Sequence, residues 1–208
     1  MNIHRIFIAI PFLLFSVFSC SKDKEETETK PLEVQVKVNL IYNAELYNMG
    51  DTLKDLNGYD IVISKFKFYL SEIKLQNDQN KNLDVSEVEL VNIKEDETYS
   101  FTIEAKAGSY SGLTAVVGLN HTLNDKKPED FSNEHPLSIY SGMYWSMLKY
   151  RFAIVEGRAN VAGSLGSSSD YFLAYHPGTD AVVKSMSIET PFTLNEAQNI
   201  LELNVDLT

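Results

Sequence analysis

The chain has 208 residues, of which 44% are hydrophobic, 23% are charged and 11% are aromatic. This composition is typical of a globular protein and excludes a disordered or collagen-like chain. Asp and Glu (29) outnumber Lys and Arg (18), so the net charge is −11 and no nucleic-acid partner is expected. A single cysteine, Cys20, excludes an intramolecular disulfide and any zinc or iron–sulfur site built on several cysteines.

Residues 1–19 have the features of a lipoprotein signal peptide. His4 and Arg5 precede an apolar run, Ile6 to Phe18, that is too short to cross a membrane as a helix. The run ends at Val-Phe-Ser-Cys, which resembles a bacterial lipobox and predicts that Cys20 is lipidated and becomes the N-terminus. The alternative is a soluble secreted protein with an incidental cysteine. We expect the chain to be attached to the membrane through a lipid anchor at Cys20.

Residues 20–31 are predicted to form a disordered tether. The run from Ser21 to Lys30 contains no apolar side chain and therefore has nothing to bury. The lysine and acidic residues after Cys20 resemble the surface-export signal of Bacteroidetes lipoproteins, although a solvated spacer has the same composition. The predicted location is the outer membrane, on either the periplasmic face or the cell surface.

Residues 32–208 contain neither a linker nor a repeat and are predicted to form a single domain. The period-two pattern is clearest at Val34, Val36, Val38 and Leu40, which alternate with polar residues. Similar runs separated by turn-forming clusters recur to the end of the chain, a spacing typical of an antiparallel sandwich or barrel. The predicted fold class is all-β, a single antiparallel β-sandwich with short loop helices. Helical segments are expected only near Lys127–Phe131, Tyr144–Leu148 and Leu194–Gln198.

The sequence has no recognisable enzymatic motif. The Gly-x-Ser-x-Gly, His-Glu-x-x-His and Gly-rich phosphate-binding patterns are all missing. We therefore expect a protein that is not an enzyme. Arg151 and Glu156 are expected to form an internal ion pair that holds a loop.

Five short motifs occur in order along the chain. They are Phe66–Leu75, Ala107–Tyr110 with Val117–Asn120, Gly142–Trp145, Tyr150–Phe152 with Glu156–Gly157, and Tyr175–Gly178. Their order and spacing resemble those of MbnP-like proteins, which are exported, β-rich copper-binding proteins encoded with methanobactin systems. The resemblance covers about Val34 to Leu207. It implies a copper-binding protein whose partner, in some members, is a di-haem peroxidase-like enzyme that oxidises a tryptophan.

Imidazole and thioether groups are the copper ligands that the mature chain offers. The candidates are His121, His135, His176, Met143 and Met147. For the two methionines the alternative is core filling beside Trp145. The resemblance favours His176, in a His-Pro-Gly motif, and His135, in a His-Pro-Leu motif. No two histidines share a helical or strand spacing, so the fold would have to assemble the site from separate loops.

Trp145 is the candidate for a modified or metal-adjacent residue, because it lies in the Met-Tyr-Trp motif that the resemblance singles out. The alternative is a core tryptophan whose indole N–H bonds to a carbonyl. The predicted function is a lipid-anchored, copper-binding protein of the cell envelope that acts with a di-haem peroxidase-like partner. The other function left open is a metal-free surface adhesion or carbohydrate-binding β-sandwich lipoprotein.

Overall fold

The computed structural model describes residues 30–94, 99–160, 165–166 and 170–208. The predicted signal peptide, Cys20 and the tether up to residue 29 lie outside these ranges. The strands are β1 (Leu32–Tyr42), β2 (Glu45–Leu46), β3 (Thr52–Lys54), β4 (Asp60–Asn77), β5 (Asn82–Ile93), β6 (Tyr99–Ala105), β7 (Gly108–Val117), β8 (Tyr144–Trp145), β9 (Lys149–Tyr150), β10 (Ala153–Asn160), β11 (Tyr171–Tyr175), β12 (Lys184–Ile188), β13 (Phe192–Leu194) and β14 (Ile200–Asp206). Helix is limited, in the described part, to α1 (His121–Asn124) and 3-10 turns at Pro128–Asp130, Ile139–Ser141 and Asp180–Val182.

Strand β1 organises a four-stranded sheet. Its alternating residues Val34, Val36, Val38 and Leu40 are buried, as the sequence pattern predicts. Strands β6 and β2 pair with β1 in antiparallel fashion, whereas β14 runs parallel to it. This parallel pair is the exception to the antiparallel prediction among the described strands.

Strand β4 is the long central strand of an eight-stranded sheet. One of its edges pairs first with β10, along Asp60–Phe68, and then with β7, along Leu70–Asn77. Strands β3 and β5 pair with the opposite edge. Beyond these neighbours, β11 lies outside β10, while β12 and β13 lie outside β7.

The two sheets enclose the main core. Buried side chains from β1 and β6 of one sheet meet those from β4, β5 and β7 of the other. The all-β class and the β-sandwich architecture are therefore confirmed.

A second, smaller core lies on the outer face of the eight-stranded sheet. Because Phe68 and Leu70 face the main core, the intervening Tyr69 faces outward, where Leu119–Phe152 covers it. The Tyr69 hydroxyl donates to the Pro136 carbonyl (2.9 Å), and its ring meets that of Tyr150 edge to face at 6.1 Å. This cover contains the Gly142–Trp145 and Tyr150–Phe152 motifs.

Two of the three predicted helical segments are wrong. Near Lys127–Phe131 there is a 3-10 turn, but Tyr144–Leu148 belongs to the β8–β9 hairpin. The segment Leu194–Gln198 is a turn in which the Asn195 side chain accepts backbone N–H bonds from two following residues. No helix in the described ranges is long and apolar enough to span a membrane.

Candidate metal-binding region

Three backbone segments lie side by side at the edge of the second core. The Arg151 N–H donates to the Met143 carbonyl (2.9 Å), and the Phe152 N–H donates to the Pro177 carbonyl (2.6 Å). Gly178 bridges to Arg151, and a Cβ at this glycine would lie 2.7 Å from the Tyr150 carbonyl oxygen. The glycine of the His-Pro-Gly motif is therefore explained by close backbone approach.

His176 extends from this region toward β10. Its Nε2 lies 2.9 Å from Glu156 Oε1, and the second oxygen of that carboxylate lies 3.3 Å from Lys65 Nζ. Burial opposes ionisation of Glu156, but the bonds and charges of Lys65 and His176 outweigh it and lower the pKa of the carboxyl. Glu156 is therefore ionised at neutral pH and accepts a hydrogen bond from the imidazole N–H of His176.

The position of Glu156 depends on the β4–β10 register. Glu156 is opposite Lys65, and the register shifts between Glu156 and Gly157. A Cβ at Gly157 would lie 2.0 Å from the Val62 carbonyl oxygen, so only glycine allows this approach of the two strands.

The hydrogen bond to Glu156 determines which nitrogen of His176 can bind a metal. When Nε2 carries the proton and donates to the carboxylate, the lone pair of the neutral ring is on Nδ1. Many metal-binding histidines donate their second N–H to a carboxylate in this way. His176, which is half-buried, therefore has the polar support of a metal ligand.

His135 lies beside β5, and the lone pair of its Nδ1 accepts a hydrogen bond from its own loop. Its ring stacks on Phe131 with centroids 4.2 Å apart, and Nδ1 accepts the N–H of Leu137 at 3.0 Å. Burial lowers the pKa of His135, with Glu87 of β5 acting in the opposite sense. Because β5 and β10 flank β4 on opposite edges, the polar partners of His135 and His176 lie on opposite sides of that strand.

His121 begins α1 on the exposed side of the second core. Its Nδ1 lies 2.5 Å from Asp180, and its Nε2 lies 3.2 Å from Asp125. The hydrogen bond to Asp180, followed by the charge of Asp125, raises the pKa of His121. Both ring nitrogens are therefore engaged by carboxylates. Asn120 caps the helix by accepting the N–H of Leu123 (2.8 Å), a capping signal that the sequence analysis missed.

Met143 and Trp145 lie on the segment next to Arg151 but in different surroundings. Met143 is completely buried in the second core. Trp145 is 45% exposed and is paired with Lys149 in the hairpin. The alternative of a core tryptophan is therefore wrong.

The predicted Arg151–Glu156 ion pair is also wrong. Arg151 donates from its guanidinium to the carbonyls of Gly142 and Met143, and Glu156 bonds instead to Lys65 and His176. Lys65 and Glu156 are 91 positions apart, since 156 − 65 = 91, so no local pattern indicates the contact. Sequence reasoning missed Lys65 altogether.

Of the predicted metal ligands, the structure brings the segments of His176 and Met143 together through Arg151. It places His135 beside β5, and it connects His121 to the loop that follows His176 through Asp180. Among the described residues, no group of three or more His, Cys, Asp and Glu side chains is arranged to hold a metal ion. Met143 offers a donor of another kind, a thioether.

Comparisons with known proteins agree with this fold. The sequence model of the MbnP family matches residues 29–208. Among solved structures, MbnP from Methylosinus trichosporium superimposes with a TM-score of 0.54 at 16% sequence identity, over 85% of this chain and 76% of that one. At this identity the structural likeness shows a shared fold alone. A comparison with curated proteins found no match.

Proposed function

Because the chain belongs to the MbnP family, we propose that it is a copper-binding protein of the cell envelope in which His176 is a ligand. The observation that supports His176 most is its 2.9 Å hydrogen bond to Glu156, a carboxylate that Lys65 holds in place. This bond orients the ring and leaves Nδ1 as the donor atom.

Met143 is the second donor in this proposal. Its backbone is hydrogen-bonded to Arg151, which bridges to Gly178 in the same motif as His176. Thioethers favour copper(I) over harder ions, and the burial of Met143 provides apolar surroundings for the sulfur. Such a site has one ligand, the histidine, of the His, Cys, Asp and Glu types. It is therefore compatible with the finding that the described residues form no group of three or more of these types.

The remaining parts of the proposal concern where the protein acts and with what. A lipid on Cys20 anchors it to the outer membrane, on the periplasmic face or at the cell surface, and residues 20–31 separate the domain from the bilayer. The protein binds copper without acting as an enzyme. A di-haem peroxidase-like protein is its partner, and the exposed Trp145 is the residue that this partner reaches.

Competition against a copper chelator of known affinity tests the copper proposal. The purified chain should retain about one copper ion, and His176→Ala should lower the affinity about 10-fold or more, since it removes a ligand. His121→Ala is the matched control, because both nitrogens of that ring already contact carboxylates. The proposal is wrong if wild type and His176→Ala lose copper at the same chelator concentration.

One observation favours the second function, a metal-free adhesion or carbohydrate-binding protein. Large apolar side chains are exposed between residues 139 and 148, among them Tyr140 at 72% and Trp145 at 45%. Exposed aromatic rings of this kind can stack on sugars or on a partner protein. This function takes precedence if the purified chain binds no copper but its Trp145 emission responds to an oligosaccharide.

A further inference from the structure

Strand β11 is an exposed edge of the eight-stranded sheet. In the part of the chain that the structure describes, it pairs with β10 and with no other strand. Its aromatic side chains are exposed on both faces: Tyr171 at 59%, Phe172 at 72% and Tyr175 at 60%. An edge strand has unpaired backbone N–H and C=O groups, so it is a template for pairing with another strand.

The sequence of β11 lacks the features that protect such edges. The strand reads Tyr-Phe-Leu-Ala-Tyr and contains neither a charged residue nor a proline. Proteins usually place charges or prolines on an exposed edge strand to prevent pairing. Although the chain has a net charge of −11, strand β11 itself has no charge that would repel a second strand.

The same segment is complementary to itself. Antiparallel pairing about Leu173 places Tyr171 opposite Tyr175 of a second copy and Phe172 opposite Ala174 of that copy. Aromatic side chains then meet on one face, and a large side chain meets a small one on the other. Asp170 falls opposite His176 of the second copy, so no like charges meet at the ends of the pairing.

We propose that β11 is a homodimer interface, in which two copies pair their β11 strands antiparallel about a two-fold axis at Leu173. The two eight-stranded sheets then form one continuous sheet across the axis. The interface is isologous, because the same strand is used by both copies. It depends on the β10–β11 geometry and not on copper.

Cysteine cross-linking on the full-length chain in bacterial membranes tests this interface. The wild-type chain, whose only cysteine is Cys20, sets the background. Leu173→Cys should form a disulfide-linked dimer with diamide, because residues on the two-fold axis face each other within disulfide range. Diamide avoids adding copper to the protein. Leu46→Cys, at an exposed position on β2 in the other sheet, is the control and should stay monomeric.

Two further variants check the register and the folding. Phe172→Cys and Ala174→Cys chains expressed together should form a disulfide-linked mixed dimer in greater amount than the homodimer that either chain forms when expressed alone. Both positions are exposed, so the fold is preserved. Phe172→Lys added to Leu173→Cys should abolish the dimer, whereas Leu46→Lys, at a position 71% exposed against 72% for Phe172, should not. Equal cross-linking at positions 46 and 173, or no mixed dimer between positions 172 and 174, overturns the proposal.

Discussion

The histidines of the described chain differ in which ring nitrogen is already engaged. His121 has carboxylates at both nitrogens, and His135 accepts a backbone N–H at Nδ1. His176 contacts Glu156 through Nε2. A metal ligand needs a lone pair that no other donor occupies, so His176 is the best supported of these residues.

The surroundings of His121 and His135 predict opposite pH dependences of stability. Hydrogen bonding to Asp180 raises the pKa of folded His121 above its unfolded value, so its stabilising contribution is present below about pH 6.5 and is lost as pH rises through the raised pKa. Burial lowers the pKa of folded His135, so its contribution is present above about pH 6.5 and is lost as pH falls through the lowered pKa.

Thermal unfolding of His121→Gln and His135→Gln beside wild type, at about pH 5.5 and about pH 8, checks both signs. The difference in Tm between wild type and His121→Gln should shrink at the higher pH. For His135→Gln the difference should shrink at the lower pH, so each variant is the control for the other. Two differences that change in the same direction would contradict these environments.

At the scale of the elements, the β4–β10 pair determines the geometry of the candidate site. The register shift at Gly157 places Glu156 opposite Lys65 and within reach of His176. The sequence motif Glu-Gly could be recognised, but its partner strand lies about 90 residues earlier and its register has no local signature. The sequence therefore identified His176 without its hydrogen-bonded partners.

Gly157→Ala tests this register. The new Cβ would lie 2.0 Å from the Val62 carbonyl oxygen, so the strands must separate and the free energy of unfolding should fall by about 1–3 kcal/mol. Copper affinity should fall as well, because Glu156 moves away from His176. Denaturant unfolding and chelator competition measure the two effects.

Gly58→Ala is the control, since Gly58 has a φ of +82° and no atom within 4 Å of the added Cβ. It should reduce stability through backbone strain alone, by about 1–2 kcal/mol, and leave copper affinity unchanged. If the two variants lower copper affinity equally, the register does not position the site.

The short hairpins show where local patterns were misleading. Apolar residues around Tyr144–Leu148 have a spacing that permits a helix, but Leu148 donates to the Trp145 carbonyl in a turn and Lys149 adopts a φ of 63°. Aromatic residues at Tyr144 and Tyr150 then pair across β8 and β9. Packing of Tyr144 and Tyr150 in the second core favours the hairpin over a helix, and no local sequence pattern describes this packing.

For the whole molecule, period-two alternation predicted an all-β fold, a sandwich or a barrel, and the structure is a sandwich. Each buried residue of β1 was identified from the pattern, and the second face followed from repetition of that pattern. The parallel β1–β14 pair joins residues more than 150 positions apart, and the second core depends on loops folding back over Tyr69. Alternation contains no information on either arrangement, because it reports burial and not pairing.

The lipid anchor remains a prediction about the whole molecule, and it is based on residues outside the described ranges. Expressed with its signal peptide in bacteria, the chain should enter the membrane fraction and incorporate labelled fatty acid. Cys20→Ala should abolish both, since the thiol is the site of acylation. Labelling that persists in Cys20→Ala would show that the lipid is attached elsewhere or that the lipobox is incidental.

Copper binding through Nδ1 of His176 is the central claim, and nitrogen NMR on the ¹⁵N-histidine-labelled chain tests it most directly. Copper(I) added without oxygen should shift the Nδ1 resonance of His176 while its Nε2 remains protonated and bonded to Glu156, as the 2.9 Å contact requires. Resonances of His121 and His135 should change little. Copper binding that leaves His176 unchanged, or no binding at all, would contradict the account.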